Sequence, residues 1–313
     1  MALGTDLSLA ASLRGLAYAS AAKDDAGTAL AQMRAAIDLV VPWVELRMAG
    51  TSTAERLEVA GVIEKRLRSW VELSDAAGVH GYDQVVRLKG LVSRASEAQR
   101  RARRRAGPSA RVPLDAIRSL QRRVVRLTYD APRSGWLRVR WRSRIAELIR
   151  LYQAELDKLA EKNDTFRAER SRLRIGDRKV RAALRKDEAL VDVVKTDGMG
   201  YVAWILVRGN EPQRVRLGSI AAVETQVTAL RLSMKQAPSG TDPEYRESAA
   251  RARANLWYPI ARHIPKTTKR VYLALAVTLT YAPFEFLPAD GKGTRVVSDE
   301  FEVTRLSFSQ DLV

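Results

Sequence analysis

Along this chain the spacing of apolar residues changes character once, near Asp187. Before that point apolar positions recur at intervals of three and four, the signature of helices with one buried face. Leu13, Leu16 and Ala17, set against Ala29, Met33 and Ala36, predict two short helices between Leu7 and Leu39, joined by a turn at Lys23–Gly27. Small residues at helical spacing let two helices approach closely, as in a single degenerate tetratricopeptide-type hairpin. Thr53–Asp75 reads as a further helix with Leu57, Ile63, Leu67, Trp70 and Val71 on one side. Gly78–Gly81 breaks the pattern, and Tyr82–Ala95 resumes it with Val85, Leu88 and Leu91. Pro113 opens a helix over Leu114–Tyr129. Beyond an Ala131–Gly135 turn lies the longest predicted helix, Leu137–Leu173. Trp141, Ile145, Leu148, Tyr152, Leu156 and Leu159 form its packing stripe, and it is expected to pair with Leu114–Tyr129 as an antiparallel pair or short coiled coil.

After Asp187 the pattern is one of short apolar, β-branched runs between turn residues. Ala189–Thr196, Tyr201–Arg208 and Gln213–Leu217 predict three strands, the last two a hairpin around Gly209–Pro212. Ser219 is placed to cap a helix carrying Ile220, Val223, Val227, Leu230 and Met234, and Asp242-Pro243 to open a second that ends near Pro259. The long apolar run Arg270–Leu287 predicts a strand buried on both faces and closed by Pro283, and Phe301–Leu306 predicts a last strand.

Composition narrows the class. The chain has 313 residues and an apolar fraction of 46%, enough for packed cores and unlike a disordered chain. No apolar run reaches the roughly 18 residues that span a bilayer, and Leu39–Val44 is short and interrupted by Pro42. No signal peptide is apparent, and with no cysteine there are no disulfides, thiolate metal sites or thiol nucleophiles. A cytoplasmic protein is the expectation. The formal net charge is +18, and between Arg94 and Arg150 there are 17 arginines against four carboxylates, a surplus of 13. Such clustering binds polyphosphates through counterion release. Arg100, Arg101, Arg103, Arg104, Arg105, Arg138, Arg140 and Arg142 are the candidate polyanion contacts. A solvated helical face, or a face for an acidic partner, is the simpler explanation, because no groove-reading motif accompanies the charge.

Motifs for catalysis are sparse. His80 and His263 are the only histidines, and neither has a ligand at metal-binding spacing. His80 reads as a loop-terminus residue, and His263 as an imidazolium meeting a helix dipole. Gly198-Met199-Gly200 precedes a strand where a dinucleotide turn would follow one, and Gly291–Thr294 lacks the spacing of a phosphate loop. No catalytic, cofactor-binding or metal-binding residue is assigned, and no cofactor is expected.

Several stretches together resemble the bacterial CHAT family, the caspase-like domain associated with tetratricopeptide repeats. They are Tyr82–Val92, Val180–Leu184 with Leu190-Val191-Asp192, Tyr201–Val207 with Arg214–Gly218, and Leu256–Pro259. Leu279 with Ala282–Pro288 follows, and then Asp299–Val303 and Ser309–Leu312. The resemblance spans Gly81 to Val313. It departs where Ala276-Val277-Thr278 replaces the family's Pro-Asp-Gly, and the family's catalytic histidine and cysteine belong to later strands, so no residue here inherits either role. The fold class implied is α plus α/β, a tetratricopeptide-like and coiled-coil helical region followed by an incomplete caspase-like sheet domain. Its expected divisions are residues 1–75, a basic helical region 76–180, and 181–313 as the first half of a CHAT domain. The functional expectation is a truncated or split CHAT protein, catalytically silent alone, that acts as a scaffold or interaction subunit of a caspase-like cysteine peptidase system. Its partner would be a protein, in particular the chain carrying the catalytic half, and not a membrane. The alternatives are an Arg-rich helical nucleic-acid-binding protein and a frameshifted or cut fragment of an active CHAT peptidase.

Overall fold

A computed structural model describes the chain except for residues 1–2, 48–52, 106–112, 114, 118, 121, 124–125, 128–134, 165–166, 169–170, 172–174, 237–241 and 291–292. The described residues form two compact units, one of residues 1–79 and 87–175 and one of 80–86 and 176–313.

The first unit is helical. Its elements are α1 (Leu3–Ala21), α2 (Ala26–Arg47), α3 (Thr53–Ala76), the end of α4 (Tyr82–Leu88), α5 (Leu91–Arg105) and α6 (Gly135–Lys162). Helices α1 and α2 pack closely because the residues between them are small: Ala10, Ala17, Ala29 and Ala36 are buried around Met33. The turn joining them is built as its composition requires. Asp24 sits at φ 59°, and Asp25 Oδ1 accepts the Thr28 N–H at 3.0 Å, capping α2. Trp70 of α3 is buried, with the Arg34 guanidinium of α2 5.6 Å from its ring centroid, and Tyr18 of α1 donates to Ser69 at 2.9 Å.

Four expectations change here. Helix α2 continues through Pro42 to Arg47 and is not a short helix ending at Leu39. Leu16 and Leu57 are 52% and 70% exposed and lie off the stripes proposed for them. Successive helical positions are rotated by about 100°, so Ala17 takes the inward place beside Leu16. The helix expected over Tyr82–Ala95 is divided into α4 and α5 by Gly90, whose φ of 67° ends a right-handed helix without side-chain strain. Helix α6 ends at Lys162, not Leu173, although described positions between 164 and 171 are helical again. The α6 stripe itself is present, with Leu148, Tyr152, Leu156 and Leu159 buried, and the described positions between 113 and 127 are helical.

The second unit is built on a mixed five-stranded sheet in the order β3-β2-β1-β4-β5. Its strands are β1 (Glu188–Thr196), β2 (Gly200–Val207), β3 (Gln213–Gly218), β4 (Arg270–Ala274) and β5 (Glu302–Leu306). β1 pairs antiparallel with β2, and β2 with β3, while β1–β4 and β4–β5 are parallel. On the chain, α7 (Asp177–Ala183) precedes the sheet, and α8 (Ile220–Gln236) and α9 (Pro243–Ala252) form the crossover to β4. A π-helical turn, Arg253–Trp257, carries α9 into the short α10 (Tyr258–Ala261), and α11 (Val297–Glu300) precedes β5. Ser219 Oγ accepts the Ala222 N–H at 3.3 Å and Asp242 Oδ1 the Glu244 N–H at 2.8 Å, so both anticipated caps are formed.

Strand alternation gives the sheet two buried faces. Ala189, Val191, Val193, Tyr201, Ala203, Ile205, Val271 and Leu273 belong to a single core with Val223, Val227 and Leu230 of α8 and Leu256, Trp257 and Ile260 beyond α9. Leu190, Asp192, Val194, Val202, Trp204 and Leu206 face the other way and are also buried. The segment His80–Val86 covers that second face: the Trp204 indole N–H donates to the His80 carbonyl at 2.6 Å, and Tyr82 reaches Asp192.

The run Arg270–Leu287 is not one long strand. Only Arg270–Ala274 pairs, and the rest forms two 3₁₀ turns, Val277–Tyr281 and Phe284–Phe286. The run is nevertheless apolar for a reason, since Leu279, Ala282, Phe284 and Leu287 are buried in the main core and Trp257 meets Phe284 edge-on at 6.5 Å. A continuous apolar run reports burial and does not by itself choose between strand and turn. The strand at the middle of the sheet is β1, flanked by β2 and β4.

Candidate functional site

In an open sheet with parallel strands, ligands are received beyond the carboxyl ends of the strands, where the chain's direction of travel across the sheet reverses. Here that place is the end of β1, between β2 and β4. Glu224 of α8 occupies it. Its Oε1 accepts from Lys195 Nζ at 2.7 Å, from the Tyr201 hydroxyl at 2.9 Å and from Thr278 Oγ1 at 3.2 Å. The Lys195 ammonium and then the Tyr201 hydroxyl hold the Glu224 carboxyl below the usual carboxylate range. Burial, joined by the Glu224 contact, raises the Tyr201 phenol. Three donors on one oxygen join the ends of β1 and β2 and the first 3₁₀ turn to α8. The group works as a fastener: the carboxylate is a satisfied acceptor and the phenol a firmly protonated donor. Close by, Gly200 and Gly218 allow backbone contact, for a Cβ on Gly200 would stand 2.0 Å from the Gly218 carbonyl oxygen.

On the second face the Tyr82 hydroxyl donates to Asp192 Oδ2 at 2.8 Å, both residues being fully buried. Burial first, and the Asp192 charge second, push the Tyr82 phenol well above its ordinary value. The Tyr82 ring lies 6.0 Å from Trp204. His80 stands at the rim. Its Nδ1 accepts the Tyr82 backbone N–H at 3.1 Å, so Nε2 carries the proton toward Glu211, 3.2 Å away. Glu211 is also held by Arg181 at 3.1 Å, and Arg181 by Asp177 at 3.1 Å. With both ring nitrogens engaged, His80 staples the start of α4 to the β2–β3 turn.

His263 differs from the expectation of a charged imidazole at a helix end. Its Nε2 accepts from Arg262 Nε at 3.2 Å, and burial followed by the Arg262 charge lowers its pKa, which favours the neutral ring.

A third cluster secures the crossover between β4 and β5. Arg305 of β5 grips both oxygens of Glu285 at 2.6 Å and donates to the carbonyls of Thr280 at 2.5 Å and Ala282 at 2.7 Å. Burial raises the Glu285 carboxyl, but the Arg305 hydrogen bond, a backbone hydrogen bond and the Arg305 charge together leave the group below its ordinary value. Along the other end of the parallel strands, Arg270 bridges the nearly buried Glu188 at 3.2 Å and Glu302 at 2.6 Å.

The candidate polyanion contacts lie on α5 and α6. Arg100 and Arg101 both turn to Glu97, at 3.2 and 3.6 Å, and Arg140 is exposed. The side chains of Arg103, Arg104, Arg105, Arg138 and Arg142 are outside the described residues. Three exposed arginines not singled out from sequence, Arg122, Arg123 and Arg126, precede Leu127, whose carbonyl accepts the Trp141 indole N–H of α6 at 2.6 Å. Their signal was present in the same basic stretch, but only the helix pairing distinguishes them. Among the described residues no group of three His, Asp or Glu is arranged to hold a metal, and no helix is long and apolar enough to cross a membrane. Compared with family models, curated proteins and solved structures, the chain matches none.

Proposed function

We propose that this chain is an interaction subunit: the helical region and the first, non-catalytic half of a CHAT-type, caspase-like sheet domain, serving as scaffold to a partner that carries the histidine and cysteine. The observation that carries the reading is the state of β5. Parallel strands are added outward in the order β1, β4, β5, and β5 is hydrogen-bonded to a strand on its β4 side only among the described residues. Its two charged side chains are drawn back onto its own unit, Glu302 to Arg270 and Arg305 to Glu285. An edge without outward-held charge is open to pairing with another chain.

The polar clusters agree with a scaffold. Glu224, Asp192 and Glu285 each fasten separate segments of this unit, and the hydroxyls that reach the first two, from Tyr201, Thr278 and Tyr82, serve there as donors that hold those segments together. The test is a peptide-hydrolysis assay on the purified chain, alone and with a candidate partner encoded beside it. The expected result is turnover only with the partner; turnover by the chain alone overturns the proposal.

A further inference from the structure

We propose that Arg122, Arg123 and Arg126, together with Arg140 and Arg144 of α6, form one contact surface for the phosphate backbone of duplex nucleic acid. This stands independently of the caspase-like reading, because it concerns the helical unit alone.

The hydrogen bond from the Trp141 indole to the Leu127 carbonyl is what assembles the surface. Arg123 and Arg126 lie within one turn of Leu127, and Arg140 and Arg144 within one turn of Trp141, so two arginine rows from different helices meet at this crossing. All five are exposed. Residues one helical turn apart are about 5–6 Å apart on the surface, a spacing that places one guanidinium after another along a phosphate chain. Glu147 pairs with Arg144 at 2.7 Å, whereas Arg122, Arg123 and Arg126 make no ion pair among the described residues. Guanidinium is also the cation whose planar fork suits phosphate oxygens.

The chemistry selects among anionic partners. Binding to single strands relies on aromatic platforms for unstacked bases. Here Trp141 is half-buried with its N–H spent, and the exposed aromatic residue among those described in this unit, Tyr18, is hydrogen-bonded to Ser69 of α3. Contact is therefore with the backbone, salt-dependent and indifferent to sequence.

The full-length chain is titrated against two unrelated fluorescent DNA duplexes by anisotropy, at salt concentrations from about 50 to 200 mM. Both duplexes are expected to bind equally, with affinity falling steeply as salt rises. Replacing Arg122, Arg123 and Arg126 together by Ser should reduce the slope of log affinity against log salt by about 3, one for each phosphate left without its arginine. Replacement of the same residues by Lys, which keeps the charges, should largely preserve binding, and circular dichroism should show an unchanged helix content in both variants. Absence of wild-type binding at the lowest salt overturns the proposal. So does a serine variant with wild-type slope, a tenfold preference between the duplexes, or tighter binding to phosphatidylserine vesicles than to DNA at equal salt.

Discussion

Replacing Tyr82 by Phe tests the account of the sheet's second face, because it removes one oxygen and leaves the ring in place. In the wild type that oxygen donates to Asp192 at 2.8 Å, in a site from which both residues exclude water. A buried acceptor that loses one of its donors costs about 1–3 kcal/mol. With the packing against Trp204 retained, about 2 kcal/mol is expected, or a fall of about 4–8 °C in the Tm of this unit. The alkaline limb gives a second and more specific readout. The folded-state pKa of Tyr82 is raised well above its ordinary value, by burial and then by the Asp192 charge. Below about pH 10 the phenol keeps its proton whether the chain is folded or not, and its contribution is intact. Above that, the unfolded chain releases the proton and the folded chain retains it, so stability falls by up to about 1.4 kcal/mol per pH unit. Urea unfolding followed by tryptophan fluorescence at several values between about pH 8 and 11 measures both effects. The Phe variant should start less stable and lose stability less steeply. Parallel pH profiles for the two proteins would refute the reasoning, because they would mean that the Tyr82 hydroxyl is not closed off from solvent.

Further substitutions probe the other fasteners. Gly200→Ala forces a Cβ to 2.0 Å from the Gly218 carbonyl at φ 74° and should cost about 3 kcal/mol or more, whereas Gly209→Ala, at φ 82° with open space, should cost only about 1 kcal/mol; denaturation midpoints compare them. Arg305→Ala frees the β4–β5 crossover and, with the pair partly solvated, should destabilise by about 1–2 kcal/mol. The lowered Glu285 pKa means that its contribution is present above the unfolded carboxyl value and is lost as pH falls through the folded one, so the acid limb of the stability curve should be shallower in that variant. Asp242→Ala removes the acceptor for the Glu244 N–H and should cost about 1 kcal/mol by the same measurement.

Local chemistry was legible wherever a feature depends on near neighbours. The Ser219 and Asp242 caps, the β2–β3 turn and the residues of α8 that face the core all follow from short-range spacing, and so does the order of the strands and longer helices after Asp187. The fasteners were not legible. Tyr82 and Asp192 are separated by 110 positions, and Arg305 reaches carbonyls 25 and 23 positions earlier, so no local pattern marks them as partners. Arg270–Leu287 shows both sides of this. Its apolar character required burial, and most of its apolar residues are buried. Whether it was buried as strand or turn depended on what it packed against. Five residues found partners on both sides in β1 and β5 and became β4. The remainder met Trp257 and the grip of Arg305 and became 3₁₀ turns.

The basic stretch divides in the same way. Its surplus of positive charge is a property of the sequence alone, since charge adds up without regard to fold. Which arginines share a surface is decided by the Trp141–Leu127 crossing, because side chains act together only when the backbone brings their faces together. Composition set the class of protein and the sign of its field, and periodicity set its helices and strands. The long-range hydrogen bonds that join those elements, and the surfaces they leave exposed, were decided in three dimensions.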